Sequence, residues 1–118
     1  MKHIIHSFSN IPFAIEYHIG KNSRENTHIL NLADRNDLWF HAKNYPSCHV
    51  IAHIPRTIKL TKKQRMTIIK MGCMLCKINT HSLINYHKIG INYTEIKNIE
   101  KSEIDGTVHP HNLKIYNV

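Results

Sequence analysis

At 118 residues, 42% of them apolar and 20% charged, the chain is long enough for one core and too short for two, and its composition excludes a largely disordered polymer. Sixteen lysines and arginines against eight carboxylates leave a net charge of +8, a field that suits a polyanion, nucleic acid before membrane. No run approaches the ~18 apolar residues of a membrane span. Three cysteines, an odd number, and an opening "MKHIIHSFSN" without the apolar core of a secretory signal lead us to expect free thiols in a reducing compartment, the cytoplasm. The Ile-, Asn- and Lys-rich usage is that of an AT-rich genome, microbial or viral; for a virus the compartment is the host cytoplasm.

With no repeat, low-complexity tract or linker, one domain is expected over residues 1–118. In "FAIEYHIG", Phe13, Ile15, Tyr17 and Ile19 alternate with Ala14, Glu16 and His18, the period of a half-buried strand. "KNSRENTHILNLA" places Ile29, Leu32 and Ala33 at helical spacing, with Ser23 as the expected N-cap. Leu38 to Lys43 and Cys48 to Ile54, joined only by "NYPS", predict an antiparallel hairpin. Thr61 to Gln64 has the form of a capping box and opens a helix whose apolar arc leaves one basic ridge, Lys63, Lys70 and Lys77. "HKIGINYTEIKNI" and "NLKIYNV" read as strands, and Gly106 as a turn glycine between them. The class is therefore α+β: a mostly antiparallel sheet with a β-hairpin and two helices packed on one face, leaving the other face to a ligand.

Chemical motifs are few. Cys73 and Cys76 fall mid-helix on the apolar arc, where a CxxC pair is core rather than redox site, and no second pair completes a four-thiolate zinc site. The eleven histidines show no spacing that converges on an ion, so neither metal nor cofactor is expected; on acidification they should strengthen polyanion binding. Phosphate-binding loops, nucleophile elbows and HExxH are absent. The enzymatic alternative is a nuclease or phosphoesterase with His41 working beside Asp37 or His49.

The blocks "GKNSREN", "DLWFHAKNYPSCHVI" and "NYTEIKNIEK", followed by "GTV" and "KIYNV", resemble the NFACT RNA-binding domain (NFACT-R, DUF814) over nearly the entire chain, from about Phe13 to Val118. Many members read PGSH where this chain has Pro46, Ser47, Cys48 and His49. The resemblance implies RNA binding without a reaction, in larger relatives in the setting of ribosomes and tRNA. Carried over, it marks Lys21, Asn22, Asp37, Trp39, His41, Lys43, His49, Lys97 and Lys101, to which Arg24 is added as a neighbouring cation. Trp39, His41 and Lys43 are expected to point out of the hairpin, the indole stacking a base while lysines neutralise phosphates. The expected partner is tRNA or rRNA, with DNA as a further polyanion and ribosomal or quality-control proteins as the docking alternative.

Overall fold

The computed structural model describes all 118 residues. In chain order the elements are β1 (Lys2–His6), β2 (Ile15–Gly20), α1 (Ser23–Leu32), β3 (Leu38–Ala42), β4 (His49–His53), α2 (Lys62–Ile78), β5 (Gly90–Glu95), β6 (Ile99–Lys101), β7 (Val108–Pro110) and β8 (Lys114–Asn117). Six strands make one sheet in the order β1-β2-β4-β3-β5-β8, every neighbouring pair antiparallel, and β6 with β7 forms a separate two-stranded arm. The α+β class, the antiparallel sheet and the β3–β4 hairpin are as the alternating pattern predicts. No helix is long and apolar enough to cross a membrane.

Strand alternation sends Tyr17, Phe40, Val50 and Ile91 to one face, where they meet Ile68, Ile69, Cys73 and Cys76 of α2 in the main core. The Cys73 and Cys76 thiols are fully buried there as small apolar residues. Helix α2 begins where the sequence says: Thr61 Oγ1 accepts the Gln64 N–H at 3.1 Å while Gln64 Oε1 accepts the Thr61 N–H at 3.0 Å.

Helix α1 is not beside α2. Its Ile29 and Leu30 pack with Trp39 and Ile51, a second apolar cluster on the opposite sheet face, so the expectation of two helices on one face is corrected. The reason lies in the centre of the sheet. Trp39 opposes Ile51 across β3 and β4, an apolar pair facing away from α2 that would stand in water without a cover of its own. A two-residue link, Lys21 and Asn22, turns the chain from β2 directly onto that face. Asn22, not Ser23, caps the helix, its Oδ1 accepting the Glu25 N–H at 2.9 Å. The edge strand β1 was not foreseen, and the long strand expected after Tyr86 stops at Glu95, where a 3₁₀ turn over Ile96–Asn98 leads into the arm.

Candidate nucleic-acid interface

On the α1 side of the sheet, β3, β5 and β8 keep an uncovered strip. His41 pairs with Asn92 and Asn92 with Ile115; at the strand ends Gly90 pairs with Asn117, and the Lys43 N–H donates to the Gly90 carbonyl at 2.9 Å. Two recesses lie along this strip. One, of about 290 Å³, has Trp39, His41, His49 and Asn92 as its floor and Gly106, Thr107, Val108 and Pro110 of the arm as its wall. The other, of about 540 Å³, lies at the hairpin tip between Lys43, Asn44 and Tyr45 on one side and Lys88, Ile115 and Asn117 on the other. The arm is seated by Gly106, whose N–H donates to Thr27 Oγ1 at 2.9 Å. Its φ of +79° and the 2.6 Å that would separate a Cβ from Ser23 Cα require glycine there.

The floor of the first recess carries no charged side chain. Trp39 is only 3% exposed, packed against Ile29, Leu30 and Ile51. Its indole lies parallel to the His41 ring, centroids 5.8 Å apart, and its Nε1–H donates to His49 Nδ1 at 3.2 Å. The outward stacking platform expected of Trp39 is thus corrected: at this position β3 is covered on both faces, by α2 on one and α1 on the other, and only farther along, at His41 and Lys43, does the α1-side face open. His49 is 5% exposed, and burial, with a smaller contribution from His41, pushes its pKa down to about 3. Burial also lowers the pKa of the half-buried His41, whose Nδ1–H donates to the Ala42 carbonyl at 2.8 Å. Both imidazoles are neutral at pH 7. For acid/base catalysis the pair is poorly set, since His49 is enclosed and its Nδ1 is already occupied by the indole N–H.

The hairpin tip differs in every respect. Tyr45 and Tyr86 are 41% and 44% exposed, their ring centroids 5.4 Å apart. Asn44 takes the left-handed conformation, φ 65°, that turns the chain there. Of sixteen lysines and arginines, only Arg56, Arg65 and Lys97 have an Asp or Glu carboxylate within 4.0 Å, so Lys43 and Lys88 beside the tyrosines face no acidic side chain. The sequence pattern marks Lys43 and shows "NYPS" as the hairpin connection but gives no role to Tyr45, Tyr86 or Lys88. The signal was present in "KNY" and "YHK", two aromatic–cation triplets far apart in the chain.

The remaining expected residues divide by place. Lys21, Asn22 and Arg24 lie toward the same end of the sheet, because Gly20 pairs with His49 and the chain then enters α1; the Asn22 side chain is used as the cap. Lys101 Nζ bonds to Asn31 Oδ1 on α1. Lys97 belongs to the opposite end, its N–H donating to the Arg35 carbonyl at 3.0 Å and its Nζ lying 3.4 Å from Glu95. Asp37 is 1% exposed and accepts from His53 Nδ1 at 2.8 Å and from the N–H groups of Asp34 and Ile54. Burial raises its pKa, but those hydrogen bonds outweigh burial and hold the carboxyl below its ordinary value. Asp37 is an anchor for the loop before β3, not a ligand-facing group.

A family model described as NFACT protein RNA binding domain matches residues 13–111. Among solved structures the chain is similar to the C-terminal part of the fibronectin/fibrinogen-binding protein of Streptococcus suis, with a TM-score of 0.70 and 21% identity over 88% of this chain. The match spans 40% of that structure's chain, and at this identity it speaks for the fold alone. Comparison with curated proteins returns no match.

Proposed function

Because the chain belongs to the NFACT RNA-binding domain family, a family of nucleic-acid-binding modules, we propose that it binds single-stranded or looped RNA along the β3–β5–β8 strip, entering at the hairpin tip. The observation that carries this reading is the exposed Tyr45–Tyr86 pair with Lys43 and Lys88 at its flanks. Tyrosine faces stack unpaired bases regardless of sequence, and uncompensated lysines neutralise the intervening phosphates. A closed duplex keeps its bases stacked inside and gains nothing from the tyrosines. The RNA we have in mind is tRNA or rRNA. The setting we propose is intracellular, in keeping with three unpaired thiols.

The test is fluorescence anisotropy at low salt with single-stranded RNA, tRNA and duplex DNA. We expect the first two to bind more tightly than the duplex. Tyr45→Ala with Tyr86→Ala should remove ~1–3 kcal/mol per stacked base. Absence of RNA binding at low salt, or an unchanged affinity in the double variant, would overturn the assignment.

A further inference from the structure

Strand β1 brings to the sheet edge a set of side chains that RNA binding does not use. His3 lies directly opposite His18 in the β1–β2 ladder and diagonal to Glu16, which places all three on the same face. His3 Nε2 is 2.8 Å from Glu16 Oε1, and His18 Nε2 is 4.0 Å from that same oxygen. The three ligand atoms all lie within 4.8 Å of one another.

A chain of hydrogen bonds behind His18 offers it a defined tautomer. The buried Asp37 carboxylate accepts from His53 Nδ1 at 2.8 Å. With its proton on Nδ1, the His53 ring can accept at Nε2, and the 2.7 Å contact is then a bond donated by His18 Nδ1–H. In that tautomer His18 carries a bare lone pair at Nε2, 4.0 Å from Glu16 Oε1, a gap too long for a hydrogen bond. A lone pair and a carboxylate oxygen facing each other at that distance are complementary to a cation between them. Carboxylate–histidine relays of this kind orient metal-bound imidazoles and raise their basicity.

We propose that His3, Glu16 and His18 bind a zinc-class divalent ion, with Asp37 and His53 holding His18 in the ligating tautomer. Two imidazoles and a carboxylate are donors that zinc accepts, and they leave a fourth coordination position open to solvent. Tetrahedral bonds of ~2.1 Å place ligand atoms about 3.4 Å apart, so closure asks for shifts of roughly an ångström, within reach of the half-exposed His3 and Glu16 side chains. Magnesium and calcium prefer all-oxygen sites and are disfavoured. The bound ion cross-links an edge strand, residues 2–6, that lies outside the family-matched segment 13–111. It is thus independent of the RNA reading, and it went unseen in the sequence because its ligands meet only through the register of a strand that the sequence did not announce.

Metal-free full-length protein titrated with zinc by calorimetry, and with cobalt(II) by visible absorption, tests the site. The expected result is one ion per chain, tetrahedral cobalt bands displaced by zinc, and a zinc-dependent rise in Tm. His3→Ala, on the edge strand β1, and Glu16→Gln, an exposed and near-isosteric change on β2, should each weaken binding by at least ~10-fold and remove the rise in Tm. His53→Gln should weaken it by ~10- to 100-fold. A double change of His109→Ala and His111→Ala should leave it intact. No zinc binding at micromolar concentration, wild-type affinity in His3→Ala, or loss of binding only in the His109/His111 variant would each overturn the site.

Discussion

The pairing of Trp39 with His49 joins two buried polar groups in one hydrogen bond and makes the fold sensitive to acid. His49 accepts the indole proton at Nδ1 and is held neutral by burial, its pKa near 3 against an ordinary value of 6.5. The unfolded chain takes up the proton first, so stability falls as pH drops from about 6.5 toward 3. By pH 5 this single group should cost about 2 kcal/mol. Urea denaturation at pH 7 and pH 5 measures it, and His49→Asn is the comparison, because an amide oxygen can accept the indole proton without titrating. An equal loss in the variant would mean that His49 is not the sensor. The same burial limits an effect expected from the histidine content: His18, His41 and His49 are all lowered chiefly by desolvation, so tighter polyanion binding on acidification cannot come from them.

Between elements, the decisive contact is that of α2 with the sheet. Gly72 lets the helix rest on Phe40: a Cβ there would lie 2.3 Å from the ring, which is itself fully buried in the main core. Gly72→Ala should destabilise by ~1–3 kcal/mol through overpacking despite alanine's better helix propensity, and chemical denaturation gives the sign directly. Unchanged or increased stability would show that the helix can lift at little cost. Helix α2 and the hairpin were legible because their codes are local: a capping box, a ridge of three lysines spaced seven residues apart, and two alternating runs joined by four residues. What failed to show was non-local. Alternation in "LWFHA" tells that Trp39 and Phe40 face opposite ways, but not that a helix waits on both sides, and so it could not tell an exposed indole from a buried one. Strand β1 and the arm are edge structures of three to five residues, with little internal pattern to betray them. The site was legible in the same proportion. Lys43 stood out and Tyr45 showed only as part of the hairpin connection, while Tyr86 and Lys88 join them only because β5 pairs beside β3.

At the scale of the whole molecule, the +8 charge matters less than where it is left unopposed. Carboxylates gather around the end of the sheet that holds Asp34, Asp37 and Glu95, and there Arg56, Arg65 and Lys97 are paired. The hairpin-tip end carries Lys21, Arg24, Lys43 and Lys88, and the Glu25 side chain next to Lys21 and Arg24 is engaged by the Met1 amino group and the Lys21 N–H. A polyanion approaching this field is drawn to the tip, and each phosphate neutralised there releases counterions. The logarithm of RNA affinity should therefore fall linearly with the logarithm of salt, and Lys43→Ala and Lys88→Ala should each flatten that slope by roughly 0.7 for a single strand. Lys97→Ala should leave it unchanged, although the family pattern marks that residue as readily as Lys43, because its ammonium already faces Glu95 at the far end. The comparison is sharp because all three variants remove one positive charge and differ only in position. If Lys97→Ala flattened the slope as much as the tip variants, binding would track net charge and not this surface, and the tip would lose its claim to be the RNA's point of entry.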